Sequence, residues 1–397
     1  MSNGVIALSA ALLLAVAPIV APAQTVTVRI DDLAGILVVS AMVDGKGPYH
    51  FVLDTGAGIT VVTPKLAEAV GLTAAGSDIA HGTSDQTVAA RLTTLKSLAV
   101  GTAMQADVAA AIVPLSLDLT YQGAYGTIDG IVGATFLRNY VVSLDIAGGR
   151  ATFAPTSAQN PLEKGKALPL TFTANYIPVV GAIVEGAPGS FEIDSGNNDD
   201  LLLTQSFASA HGVGSGYRAP IHSEYVGVGG SASSTRIRAA SISVGPFILH
   251  GIPAEISQAK SGVLQRDGLD GNFGYDVFRQ FVVTIDYGNA RLYLQPSAAF
   301  DTPVTVAGTG IIPERNADGA FDIVNVLDGT PAAAAGVKAG ETIVAIDGKP
   351  TASMSDADYR AAVGGRAGTS VIYSLRSGNA SRIITLTTVD LLPQITH

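Results

Sequence analysis

This 397-residue chain repeats itself. Asp54-Thr55-Gly56 closes the run Tyr49–Leu53, and Asp194-Ser195-Gly196 closes the corresponding run Gly189–Ile193. Further on, Thr63–Gly71 matches Thr204–Gly212, and Ile128–Asp145 matches Leu269–Asp286. Between them, Arg91–Gly101 loosely echoes Arg236–Gly245. The offset is 140 at the aspartates (54 to 194) and 141 at the threonines (63 to 204), so one residue inserted after Asp194 accounts for the change. Collinear matches over about 100 residues mean duplication. A lone Asp-Thr-Gly is an ordinary turn sequence. Two copies in one repeat predict two aspartates brought face to face by a duplicated fold.

The local pattern is mostly β from Gln24 to about Pro296. Runs such as Thr25–Ile30, Gly35–Ser40 and Tyr140–Leu144 are rich in β-branched residues and punctuated by Gly, Pro and Asp. Thr63–Gly71 and Thr204–Gly212 each read as a short helix with a Thr N-cap and a Gly terminator. The polar, Pro-bearing segment Pro155–Lys166 predicts one boundary and Pro296–Pro303 a second.

These motifs resemble the aspartic protease superfamily, in its retropepsin and pepsin-like forms. The resemblance rests on the two Asp-[Thr/Ser]-Gly triplets and on the two rear elements Ile131-Val132-Gly133 and Asn272-Phe273-Gly274. It covers roughly residues 26–297. Asn272 departs from the apolar residue usual at that place. The resemblance implies a mainly β fold of two lobes, with Asp54 and Asp194 as the catalytic pair. Thr55, Gly56, Ser195 and Gly196 would support it, the hydroxyls cross-bonding the two loops and the glycines allowing close approach. A β-hairpin flap is implied in each lobe, at Ile79–Val88 and Tyr225–Ser231.

Asp328–Pro350 resembles the core of a bacterial PDZ domain, a small α+β fold that binds peptide or protein C-termini by strand addition. Pro331–Gly336 reads as a short helix, Glu341–Ile346 as a strand and Ser355–Val363 as the helix beside the groove. Ile343, Val344, Ile346, Val371 and Ile384 are its expected core. By this resemblance the peptide-binding loop is Gly308, Thr309, Gly310, Ile311 and Ile312, with Thr309 where a larger apolar residue is common. The expected organisation is a signal peptide at 1–23, protease lobes at 24–160 and 161–297, and a PDZ domain at 303–393.

Composition sets the outer bounds. Charged residues are 14% and apolar residues 47%, the balance of a globular chain and not of a disordered one. A net charge of −10 without any Lys/Arg run argues against nucleic acid as a partner. The chain has no cysteine, which excludes disulfides and a thiol nucleophile. Its six histidines lack metal-ligand spacing, so neither metal nor cofactor is expected. Val5–Val20 is apolar, and Ala21-Pro22-Ala23 offers a cleavage site, which predicts export to a periplasm or the exterior. The preceding residues carry no Lys or Arg, so an uncleaved anchor is the alternative. No other segment has the length and hydropathy of a membrane span.

The expected chemistry is an exported aspartic endopeptidase acting on polypeptide substrates. Two close carboxylates cannot both ionise easily and share a proton. One can then take a proton from water while the other polarises the scissile carbonyl. Ala57 brings no hydroxyl to the first carboxylate, which predicts an optimum in weak acid. Asn197-Asn198-Asp199-Asp200 follows the second triplet, where Ser, Thr or Ala usually comes first. That departure motivates the alternative, a catalytically inactive peptide-binding protein or scaffold with a protease-like cleft.

Overall fold

The structure, a computed structural model, describes residues 24–392 apart from 34, 82–86, 116–126, 157–161, 199–200, 216, 218–220, 228–229, 263–264, 266–267, 355 and 365. The expected signal peptide, the two flap tips, residue 393 and the acidic pair Asp199-Asp200 lie outside the described residues. Among the described residues no helix is long and apolar enough to cross a membrane.

The duplication is visible in two eight-stranded sheets with the same strand order. The first runs Asp31–Leu33, Ile36–Val43, Lys46–Leu53, Gly130–Val132, Thr60–Val62, Ala103–Ile112, Thr87–Val100, Gly76–His81. The second runs Thr171–Phe172, Pro178–Val184, Ala187–Ile193, Gly271–Phe273, Leu201–Leu203, Phe247–Ser257, Gly230–Val244, Ile221–Gly227. In each, the strand that ends at the aspartate pairs in parallel with the short rear strand. Those rear strands begin with glycine for a steric reason. A Cβ on Gly130 would stand 2.3 Å from the Val61 carbonyl oxygen, and one on Gly271 would stand 2.1 Å from that of Leu202.

The capped helices follow the sequence in both copies. Helix Pro64–Val70 starts with the Leu66 amide donating to Thr63 Oγ1 at 3.2 Å and ends at Gly71 with φ 80°. Helix Gln205–His211 starts with the Phe207 amide donating to Thr204 Oγ1 at 3.2 Å and ends at Gly212 with φ 69°. Both glycines take the left-handed conformation that side chains oppose.

A six-stranded sheet joins the lobes, in the order Val26–Arg29, Arg150–Pro155, Tyr140–Asp145, Phe281–Asp286, Arg291–Pro296, Lys166–Pro169. At its middle Ser143 pairs with Thr284, and the Thr284 hydroxyl donates to Ser143 Oγ at 2.8 Å. These two residues are equivalents across the repeat, so the pseudo-two-fold axis passes between them. One apolar core runs from the first lobe through this sheet into the second, including Phe51, Phe136, Phe153, Phe191, Phe273 and Ile285.

The C-terminal part has its own core of Phe321, Ile323, Ile343, Ile346, Val371, Tyr373 and Leu375. Of its expected members, Ile343, Ile346 and Val371 are buried, whereas Val344 is half-buried and Ile384 packs against the cluster's edge. Its main sheet runs Ile311–Arg315, Phe321–Val326, Thr342–Ile346, Ser370–Ser377, Ala380–Thr387. Strands Ala307–Gly308 and Val389–Asp390 pair and close the base of this unit.

That base is held to the second lobe by Arg238, which is 1% exposed. Its Nε donates to the Leu392 carbonyl (2.5 Å) and its Nη1 to the carbonyls of Gly251 (2.6 Å) and Val304 (2.7 Å). Its Nη2 meets both oxygens of Asp390 at 2.8 and 2.7 Å. A buried guanidinium needs such a full set of acceptors. The chain entering the C-terminal unit and the chain leaving it are thus bound to one side chain.

Candidate active site

Each expected catalytic aspartate sits just past a strand end, where the main chain turns back on itself. The Asp54 amide donates to the Val132 carbonyl at 3.1 Å, and the Asp194 amide to that of Phe273 at 3.2 Å. The residue three past each aspartate then anchors the following helix: Ala134 N donates to Ala57 O (2.8 Å) and Tyr275 N to Asn197 O (2.9 Å). The rear glycine elements thus lie directly behind the two loops.

Thr55 and Ser195 bind the loops to each other. The Thr55 amide donates to Ser195 Oγ and the Ser195 amide to Thr55 Oγ1, both at 3.0 Å. The Thr55 hydroxyl donates to the Ile193 carbonyl at 2.6 Å, and the Ser195 hydroxyl to that of Leu53 at 2.8 Å. Both side chains are buried. Four reciprocal bonds in a dry setting hold two loops in one geometry. The sequence points to the hydroxyls; the carbonyls that receive them become visible only when the lobes meet.

Gly56 and Gly196 make room for the carboxyl groups. A Cβ on Gly56 would stand 2.3 Å from Asp194 Oδ1, and one on Gly196 would stand 2.4 Å from Asp54 Oδ2. Each carboxyl therefore rests on the opposite loop's glycine. The two carboxyl groups thus face each other closely enough for the Asp194 charge to act on Asp54.

Burial, first, and then the neighbouring Asp194 charge hold the Asp54 carboxyl well above the usual range, against the lowering effect of the Gly56 and Ala57 amides. Burial also raises Asp194, but the amides of Gly196 and Asn197 pull it back. The two titrate as a pair that keeps one proton where isolated acids would lose it.

Asn272 and Asn197 differ from their first-lobe counterparts. Asn272 Nδ2 donates to Asp194 Oδ2 at 2.8 Å, and Asn197 Nδ2 donates to Asn272 Oδ1 at 2.9 Å. Asn272 is buried on the rear strand, where the first lobe has Ile131. Sequence reasoning notes both asparagines as departures without joining them, since 75 residues separate them.

The lobes also brace each other around the site. Asn175 lies against Gly58 of the first loop, and Asn198 against Gly35 of the first lobe. The Tyr275 hydroxyl donates to Asp32 Oδ2 at 2.5 Å, and the Arg138 guanidinium covers the Tyr176 ring at 4.6 Å. None of these four contacts is signalled by local sequence. The flap hairpins pair through Gly76–His81 with Thr87–Val100 and Ile221–Gly227 with Gly230–Val244, up to their undescribed tips. The Tyr225 side chain is outside the description.

The expected peptide loop of the C-terminal unit is shorter than its sequence suggests. Gly308 belongs to one strand, and Ile311 and Ile312 to the next. Thr309 is buried, its hydroxyl bonded to that of Tyr373 at 3.1 Å, so its side chain faces inward. Gly310 has φ 90°, and a Cβ there would meet Thr330 Oγ1 at 2.0 Å. Ile311–Arg315 is an edge strand of the sheet. Among the described residues no cluster of His, Asp or Glu could hold a metal ion.

Residues 39–136 and 180–277 each match the aspartyl protease family, and 323–376 match the PDZ domain family. Among solved structures, an aspartic proteinase from Irpex lacteus aligns with 70% of this chain and 99% of its own, at 14% identity and a TM-score of 0.46. The photosystem II D1 C-terminal processing protease aligns with 23% of this chain and 25% of its own, at 27% identity and a TM-score of 0.21. No curated protein matches the chain by sequence.

Proposed function

The chain belongs to the aspartyl protease family, two copies of whose fold precede a PDZ domain, and from that premise we propose an endopeptidase whose water is activated between Asp54 and Asp194. One observation carries the reading: two carboxyl groups face each other, Asp194 buried and Asp54 half-buried, each seated on the other loop's glycine. Such a pair holds a single proton between its members.

The ionised member takes a proton from water as the water oxygen attacks the scissile carbonyl carbon. The protonated member gives its proton to the carbonyl oxygen, forming a gem-diol. Collapse reverses the roles: the diol returns a proton to one carboxylate, the other protonates the departing nitrogen, and the C–N bond breaks. The Thr55–Ser195 bonds keep the two groups in register throughout. Because Asp54 is held above its ordinary range, the activity optimum is expected in weak acid and not near about pH 2.

The PDZ domain is proposed to bind peptide or protein C-termini along its edge strand Ile311–Arg315. Its loop would act through backbone groups, since the Thr309 side chain is buried. Export to a periplasm or the exterior is proposed from the N-terminal segment alone. The test is a mixed peptide library incubated with wild type, Asp54→Asn and Asp194→Asn. Cleavage by wild type, lost in both variants with folding retained, is the expected result. Cleavage by neither wild type nor variants would favour the peptide-binding scaffold.

A further inference from the structure

The geometry points to Asn272, oriented by Asn197, as a positioning residue that makes Asp194 the ionised member of the pair and leaves the shared proton on Asp54. The inference rests on the aspartic dyad proposed above and deepens it by giving the two acids different roles.

The direction of the relay follows from donors and acceptors. A carboxylate only accepts, and Asn272 meets Asp194 Oδ2 with its amide nitrogen at 2.8 Å. That leaves Asn272 Oδ1 to accept, and Asn197 Nδ2 fills it at 2.9 Å. Asp194 Oδ1 already accepts from the amides of Gly196 (3.0 Å) and Asn197 (3.2 Å). Both oxygens of Asp194 thus receive donors from their own lobe, which favours the charged form. The first lobe cannot do the same. Asp54 receives the amides of Gly56 and Ala57, but Ala57 and Ile131 occupy the places of Asn197 and Asn272 and have no side-chain donor to offer.

A purely structural role for the asparagine pair is answered by the first lobe. There Ala134 N bonds Ala57 O at 2.8 Å and holds loop to helix without any side-chain amide. The second lobe makes the same bond from Tyr275 N to Asn197 O at 2.9 Å, so the amide relay is additional.

Asp54 faces Asp194 directly. Glu192 stands two residues earlier on the same face of the Asp194 strand, and Glu255 and Arg236 lie further along that face. Tyr287 acts from the Asp54 side. None of these is altered in the variants below.

In the mechanism, Asp194 then accepts the proton of the attacking water and later delivers it to the leaving nitrogen. Asp54 gives its proton to the carbonyl oxygen and recovers one when the gem-diol collapses. A donor on Asp194 stabilises the single-proton state over the doubly protonated one, so it lowers the acid limb of the rate profile. The alkaline limb marks loss of the Asp54 proton, and both states on either side of it keep the Asn272 bond.

The test is the pH dependence of kcat/KM for a library-derived peptide with wild type, Asn272→Leu and Asn197→Ala. Asn272→Leu is expected to move the acid limb up by about one pH unit and to leave the alkaline limb in place. Asn197→Ala, at a partly exposed site, should move it the same way by less and serves if the first variant does not fold. An unmoved acid limb in a folded, active variant, or equal movement of both limbs, overturns the inference. The dyad reading fails separately, through activity that survives Asp54→Asn or Asp194→Asn.

Discussion

The two lobes share strand order, helix caps and carboxyl seating, yet they differ on the sheet face that carries the aspartates. In the first lobe the row across the sheet reads Val52, Ile131, Val61, Ala111, Leu92. In the second the same row reads Glu192, Asn272, Leu202, Glu255, Arg236. The first row belongs to a second apolar cluster with Ile36, Val38 and Val113. The second is polar on either side of Leu202: Asn272 donates to Asp194, Ser234 Oγ donates to Glu255 Oε2 at 3.0 Å, and Arg236 stands 4.0 Å from Glu255. A β-ladder uses backbone groups, so the same ladder accepts an apolar or a polar row. The polar row is stable only because its members find partners, which an apolar row does not need. Duplication preserved the frame, and one half of the dyad's surroundings diverged within it.

The largest expected effect tests what the lobes still share. Gly56→Ala and Gly196→Ala should each lower kcat/KM by at least about 100-fold, because each methyl group displaces the opposite carboxyl. Equal losses support a symmetric seat; a loss in only one variant breaks the symmetry at its centre.

The next effect belongs to the second lobe alone. Asp390→Ala leaves Arg238 with carbonyl acceptors and no counter-charge, at a cost of about 2–3 kcal/mol. The expected readout is a lower melting temperature, with separate transitions for the protease and PDZ units. Removing residues from 300 onward takes away Val304, Asp390 and Leu392 together. Such a truncation should need Arg238→Met to fold well, so the PDZ unit is less separable than the boundary near Pro296 suggests. An unchanged, single transition in Asp390→Ala would mean that Arg238 does not couple them.

A smaller difference is expected between the acids themselves. A raised carboxyl adds stability that is full below the unfolded value near 3.8 and is lost as pH rises through the folded value. Asparagine removes that loss. Asp54→Asn should therefore melt above wild type at neutral pH, with the gap closing in acid. Asp194→Asn should gain less, since Asp194 is held up less strongly by its surroundings. Calorimetry at about pH 7 and about pH 3.5 checks both. The reverse order would place the more strained acid in the second lobe.

The smallest effect returns to the shared frame. Thr63→Ala and Thr204→Ala should each cost about 1 kcal/mol of stability in urea melts. Costs that differ by more than the whole effect would show that the caps are no longer equivalent.

Much of this was legible in the chain itself. Repetition of the Asp-[Thr/Ser]-Gly triplets, the Thr caps and the rear glycines identified a two-lobe β-fold and the residues at its centre. These signals are local: alternation, capping and tight turns depend on a few neighbouring residues. Glu192 in place of Val52 could also be read, as a charge in an otherwise apolar run. The inward turn of Thr309 is not legible locally, because it depends on Tyr373, 64 residues away.

The sequence by itself determined that two aspartates would come from two copies of one fold, because the periodicity and turn chemistry of each copy are written in adjacent residues. Only the tertiary structure decided how they differ. Asn197 reaches Asn272 across 75 residues, Tyr275 reaches Asp32 across 243 and Arg238 reaches Asp390 across 152. A buried polar group takes whichever partner the packing brings to it, and sequence spacing carries no record of that choice.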